Sequence, residues 1–229
     1  MRVYFSLLLV CFVFSINAQT FSHTETTTVS TSSFKEGTFT FDGGMGVDYY
    51  GLQIHTQVGK SKFDTIGKMA GVHFPFKFEY GASKNVGVGA RLSFSEFIDA
   101  RDTTYKPSIK PRTSSFDFGI IFNIHLYDNK LVDIPLCVNL GYSKMNIALN
   151  DSLHNKTKSE GLAFGLTLTP RIYFTEHFGM CFNIGYMRYN YAKFIYSNDK
   201  EPDLNSKYQF ARSVKAQGIN IGFGLITKF

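Results

Sequence analysis

The chain has 229 residues, 44% of them hydrophobic and 18% charged, with a formal net charge of +6. It is too apolar for a disordered chain, and with 6 Pro it is too proline-poor for a fibrous one. Mean hydropathy is −0.08. The apolar residues are therefore dispersed among polar ones, which excludes a bundle of membrane helices beyond the first segment.

Residues 1–18 carry a single charge, Arg2, and an apolar run from Val3 to Ile16 broken only by Ser6 and Ser15. A short basic start, an apolar centre and a small residue at the break predict a secretory signal peptide, cleaved after Ala18. The run is shorter than the ~20 residues of a spanning helix. An exported basic chain meets anionic lipid headgroups before nucleic acid, and no nucleic-acid partner is expected. Two cysteines follow the leader, Cys137 and Cys181. They are too few for a disulfide-stapled secreted domain.

Residues 19–37 are rich in Ser and Thr (Thr26, Thr27, Thr28, Thr31, Ser32, Ser33) and show neither a period of two nor one of 3.6. They predict a flexible periplasmic segment. From 38 to 229 the period is two. In chain order the alternating segments are Phe39–Val47, Val72–Tyr80, Val86–Phe94, Phe116–Leu126, Ile134–Tyr142, Leu162–Phe174, Phe178–Tyr186 and Ile219–Phe229. Successive side chains of a strand point to opposite sides, so each segment reads as a two-faced strand.

One face of each strand is large and apolar, and the other mixes polar residues with glycine. The last strand sets Ile219, Ile221, Phe223 and Leu225 against Gly218, Asn220, Gly222 and Gly224. A solvated strand face favours Thr, Lys, Glu and Arg, whereas Gly weakens it. Glycine suits a cramped interior, where it makes room for a large polar neighbour. The sheet is therefore turned inside out, with large residues toward lipid and the polar face lining a narrow lumen. The fold class is all-β: an eight-stranded antiparallel up-and-down transmembrane β-barrel.

The connections sort by length. Residues 48–68, 99–113, 150–160 and 192–213 are long and polar; 81–85, 128–132 and 175–177 are short. Long external loops and short periplasmic turns are the outer-membrane pattern. Tyr80, Phe174, Phe178 and Phe229 are assigned to the periplasmic aromatic girdle, and Tyr49, Phe97, Tyr142 and Tyr186 to the outer one. Residues 51–58 also alternate and extend strand one upward. After Tyr186 the faces slip, since Arg188 points to lipid and Tyr189 and Tyr191 point in. Either a bulge or the end of the membrane zone lies there.

The leader, the eight amphipathic strands, the one-sided loops and Phe229 together resemble small Gram-negative outer-membrane barrels of the OmpA/OmpX type. The Asn17-Ala18-Gln19 junction and the Ser/Thr segment are similar to the outer-membrane β-barrel domain family that includes the PorT-like proteins. The resemblance implies a place in the bacterial outer membrane. Its partners would be outer-membrane lipid and lipopolysaccharide, the barrel-assembly machinery that reads Phe229 as a C-terminal signal, and a surface protein. Such families include adhesins, secretion-linked components, small channels and a few lipid-modifying enzymes, and fold alone does not choose among them.

The inward polar set is Asp42, His73, Lys77, Glu79, Arg91, Asp117 and Arg171, with Lys228 at the end of the last strand. An eight-strand barrel is only wide enough for its own side chains, so these groups are expected to form a charge-paired plug rather than an ion path. No His-Glu-x-x-His or zinc spacing occurs, and His73 and His125 are read as satisfied interior donors. No cofactor, metal or catalytic residue is assigned. The expected role is non-enzymatic: surface-exposed loops used for adhesion or secretion-linked contact. The alternatives are a narrow channel and a lipid-modifying enzyme. The enzyme needs a Ser/His/acid set near the outer rim, where His55 and His154 stand without an evident Ser and carboxylate beside them in sequence.

Overall fold

The computed structural model describes residues 32–58, 60–99, 112–148, 156–197 and 210–229. The leader and its cleavage site lie outside them. Among the described residues nine strands follow one another: β1 (Phe39–Val58), β2 (Ser61–Ser83), β3 (Val86–Asp99), β4 (Arg112–Asp128), β5 (Val132–Ala148), β6 (Lys156–Leu168), β7 (Arg171–Tyr173), β8 (Phe178–Ser197) and β9 (Phe210–Lys228). All pairings between them are antiparallel, and β1 closes the ring on β9.

The barrel has eight staves, because β6 and β7 form one. The predicted strand Leu162–Phe174 is interrupted at Thr169 and Pro170, where Pro170 has no N–H to give the ladder. Both pieces stay between β5 and β8.

Side-chain exposure confirms the inversion. Met45, Val47, Phe118, Leu140, Leu162, Ile184, Ile221 and Phe223 are all exposed, while Asp42, Lys77, Glu79 and Arg171 are buried. On β9 the outward apolar set from Ile219 to Phe229 covers about 25 Å along a strand tilted ~40°, the height of a barrel's lipid belt. Girdle residues Tyr49, Tyr80, Tyr142, Phe174, Tyr186 and Phe229 face outward. The Tyr142 hydroxyl donates to Glu160, whose other carboxylate oxygen meets Lys144 at 3.2 Å. The ring thus sits in the apolar belt with its polar tip wet. Phe97 departs from the expectation. It is 4% exposed and packs inside against Tyr50, ring centroids 5.9 Å apart. Its odd position on β3 puts it on the face of Ser93 and Ser95, opposite Phe94.

Residues 48–58 and 61–68 of the expected connection are strand, and the upward extension over 51–58 is present. β1 and β2 pair continuously from Val47↔Val72 to Val58↔Ser61, and β9 follows β1 up to Val58↔Phe210. The barrel wall therefore rises well past the lipid belt. In that upper storey the contents change character. Tyr50, Leu52, Ile54, Met69, Met145, Met187, Tyr189, Tyr191, Val214 and Ala216 form an apolar core inside the ring. Outside, the same strands turn polar at Gln53, Lys68, Arg188 and Gln217. The slip after Tyr186 is this change of surroundings. β8 and β9 stay in step through Arg188↔Gln217 to Tyr191↔Val214, and the β8 bulge comes later, at Ala192 opposite Glu160 and Gly161.

Candidate functional site

The lower lumen is a charge cluster. Arg171, one of its largest fully buried side chains, stands at the centre. Its Nη2 reaches Glu79 at 2.7 Å and Asp42 at 3.3 Å, and Nη1 reaches Asp133 at 3.1 Å. His125 lies between two carboxylates, with Nδ1 at 2.6 Å from Asp133 and Nε2 at 2.9 Å from Glu79. A doubly protonated His125 donates to both carboxylates. Lys77 Nζ donates to Asn183 at 2.5 Å and to Thr169 at 3.1 Å. Three carboxylates (Asp42, Glu79, Asp133) thus face three basic side chains (Arg171, His125, Lys77), which is how buried charge is tolerated.

Higher up, Asp117 accepts from Ser143 at 2.5 Å and from the Tyr189 hydroxyl at 3.0 Å. Arg91 and Asp117 share the lining of a void of about 10 Å³, room for one water at most. His73 Nδ1 sits 2.9 Å from Asp48 Oδ1, off the hydrogen-bond line. The Tyr50 hydroxyl donates to Asp48 at 3.0 Å.

All seven residues assigned to the lumen are buried inside the barrel. Asp42, Glu79 and Arg171 meet directly. Lys77 is held by amide and hydroxyl oxygens, and Arg91, Asp117 and His73 belong to the upper group. Sequence reasoning missed Asp48, which fell in the 48–68 connection, and Asp133, which fell between the 128–132 link and the strand segment that begins at Ile134. Strand parity carries both, since Asp133 shares the face of Cys137 and Asn139 and Asp48 that of Asp42. Cys137 and Cys181 are buried free thiols. Phe229 closes the ring, exchanging backbone bonds of 3.0 and 2.8 Å with Phe39.

The periplasmic mouth is sealed by the chain itself. Asp128 accepts from the Ser33 N–H at 2.8 Å, its hydroxyl at 2.6 Å and the Phe34 N–H at 3.1 Å. Phe34, 1% exposed, lies flat on the His125 ring, centroids 3.5 Å apart and planes 16° apart. Lys228 Nζ donates to the Ser33 carbonyl at 2.8 Å and covers the Tyr173 ring at 4.4 Å. Gly37, at φ 80°, turns the chain from this cap into β1. Residues 32–37, expected to be flexible, are therefore packed: an aromatic ring and a carboxylate that caps two amides outweigh the Ser/Thr composition around them.

At the other end, on the outside of the raised wall, His55 Nδ1 meets Asp64 Oδ1 at 2.7 Å. His154 lies outside the described residues.

No family model and no curated protein matches the chain. Solved structures do. OprG from Pseudomonas aeruginosa superposes with a TM-score of 0.55 at 14% identity, covering 85% of this chain and 97% of that one. This chain has the fold of a small outer-membrane β-barrel. A major outer membrane protein of Thermus thermophilus gives 0.48 at 12% identity, covering 80% and 99% of the two chains. Ail, the attachment invasion locus protein of Yersinia pestis, gives 0.40 at 14%, covering 85% and 99%. Fold and lipid belt together make the protein an outer-membrane barrel, since closed strand rings are what cross that membrane.

Proposed function

We propose that this protein is a closed barrel whose working part is the sheet that it raises above the membrane, used for attachment or secretion-linked contact with an anionic surface. The observation that carries this reading is the upper storey. β1, β2 and β9 run past the lipid belt as paired strands around an apolar core. Such a core gives a rigid platform where loops would give a mobile one. A platform that bound nothing would have no need of it.

Charge supports the choice of partner. Lys60, Lys62 and Lys68 are exposed on the raised hairpin. Arg101, Lys106 and Lys110 follow between β3 and β4, and Arg112 opens β4. Lipopolysaccharide phosphates or an acidic surface protein would meet that field first. From β2 residue Ser61 to Lys68 one edge has no strand beside it among the described residues, because β3 joins β2 only from Met69↔Asp99. A free edge offers backbone groups to an extended partner.

A narrow channel is the weaker reading, because the charge cluster, the apolar core and the Phe34 cap occupy the lumen in series. Phe229 serves in this proposal as the signal to the barrel-assembly machinery.

The test shortens the hairpin, replacing Gln53–Ile66 by Asn-Gly. Cells carrying the full barrel should adhere to surfaces coated with anionic glycan, and cells carrying the shortened barrel should not. Equal adhesion, with both barrels inserted, would end the proposal.

A further inference from the structure

The raised sheet places three residues in one row across three strands. In the β1–β2 register His55 stands opposite Asp64, and in the β1–β9 register it stands opposite Ser213. All three belong to the outer face. Their strand neighbours Leu52, Ile54, Val214 and Ala216 point into the apolar core, whereas Gln53, Ile66, Lys68 and Gln217 are exposed. The row reads acid, imidazole, hydroxyl.

The imidazole is oriented. Asp64 engages Nδ1 at 2.7 Å, so that nitrogen carries the hydrogen and Nε2 is the basic one. β9 flanks His55 on the side away from Asp64, with Ser213 directly opposite in register. Directly opposed residues of antiparallel strands carry Cβ atoms about 4.5–5.5 Å apart, within reach for a Ser hydroxyl to approach an imidazole nitrogen. One register row below, Lys215 pairs with Gln53, and Gln53 pairs with Ile66 on β2. Lys215 is on the same face as Ser213, two residues along the strand, and supplies a positive charge beside the nucleophile. Ile66, 84% exposed, is an apolar contact next to Asp64.

We propose that Asp64, His55, Ser213 and Lys215 form an ester-hydrolysing site on the outer wall of the raised sheet. Ser213 Oγ attacks the ester carbonyl and His55 Nε2 takes its proton. The developing oxyanion is stabilised by Lys215 Nζ. Collapse of the tetrahedral intermediate breaks the acyl–oxygen bond, and the departing alcohol takes the proton from His55. Water, deprotonated by His55, then attacks the Ser213 ester, releasing the carboxylic acid and restoring the hydroxyl. Asp64 is the positioning residue, fixing the tautomer.

Height selects the substrate. His55 is six residues above Tyr49, or about 15 Å above the lipid boundary at strand rise and tilt. Acyl esters at the headgroup–chain boundary lie too deep. The ester class that fits is a short O-acyl group on a hydroxylated carrier, whether a surface saccharide or a soluble ester. The site goes beyond the contact role proposed above.

The test uses the full barrel refolded in detergent micelles, with a fluorophosphonate probe and 4-nitrophenyl acetate. Labelling should map to Ser213 and vanish in Ser213→Ala. Turnover should fall at least a hundredfold in His55→Ala. Asp64→Asn should slow labelling and displace its pH profile, which a purely structural change would leave in place. Release of acetate from an O-acetylated saccharide, compared with the soluble ester, separates the two sources. Equal labelling of wild type and Ser213→Ala, with both migrating as folded barrels, would overturn the proposal. Adhesion by the hairpin is read separately, so either idea can fail alone.

Discussion

A Cβ atom on Gly87 would lie 1.9 Å from Oε1 of Glu79. The glycine on β3 is the seat of the carboxylate on β2. The same relation recurs at Gly46, whose Cβ would fall 2.5 Å from the His73 ring, and at Gly165, 2.0 Å from Met187 Sδ. These three inward glycines are thus the negative of the lumen's large side chains. Gly87→Ala should displace Glu79 from Arg171 and His125 and destabilise the barrel by about 1–3 kcal/mol, the usual cost of overpacking. Urea unfolding of the refolded barrel in micelles measures it. An unchanged midpoint would mean that Glu79 has free space to retreat into.

Glu79 itself bridges Arg171 and His125, accepting from Arg171 at 2.7 Å and meeting His125 Nε2 at 2.9 Å, with Thr40 donating at 3.2 Å. Glu79→Ala leaves buried positive charge without its partner. The expected loss is about 3–5 kcal/mol. Glu79→Gln, which keeps the shape and one acceptor, should lose less. If the two variants unfold together with wild type, the cluster does not hold the lower lumen.

These two cases mark what the sequence carried. Period two fixed the faces, and glycine on the polar face decided which face was inside, because no solvated strand gains from it. Exposed Phe223 and buried Asp42 follow from that one step. The cap at Ser33 and Phe34 was invisible, since it depends on Asp128 and His125, more than ninety residues away. The Asp64–His55–Ser213 row was equally hidden. Only strand register brings residues 55, 64 and 213 together, and composition has no term for register.

Removing the Phe34 ring should open the floor of the barrel. Phe34→Ala takes away the stack on His125 while leaving the backbone bonds to Asp128. The loss should be about 3 kcal/mol, as for a buried aromatic cut to Ala. His125 should then react with diethyl pyrocarbonate, which wild type resists. The upper apolar core stays in place, so planar-bilayer conductance should remain absent in both proteins. Equal modification of His125 in both would show that the cap does not exclude reagent.

Cys137 and Cys181 are each 1% exposed and sit on separate staves, with β6 and β7 between β5 and β8. Neither should react with a maleimide in the folded barrel, and oxidant should not join them. Both should react fully in urea. Their labelling is therefore a direct clock for unfolding, and fast labelling of the native state would contradict the packed lumen.

The level of the membrane can be tested on one strand. On β9, Phe223 and Gln217 face the same side, but Phe223 lies near the middle of the lipid belt and Gln217 lies just beyond Ile219, the last outward apolar residue. A cation in hydrocarbon is costly near the midplane and nearly free at the interface. Phe223→Arg should destabilise the barrel by about 2–4 kcal/mol, and Gln217→Arg by ~1 kcal/mol at most. Unfolding in lipid vesicles reads the difference, because the gradient comes from the bilayer and a detergent micelle blurs it. Equal costs at the two sites would mean that the belt does not end at Ile219, and the raised sheet would then begin farther out than Tyr49 and Tyr186 indicate.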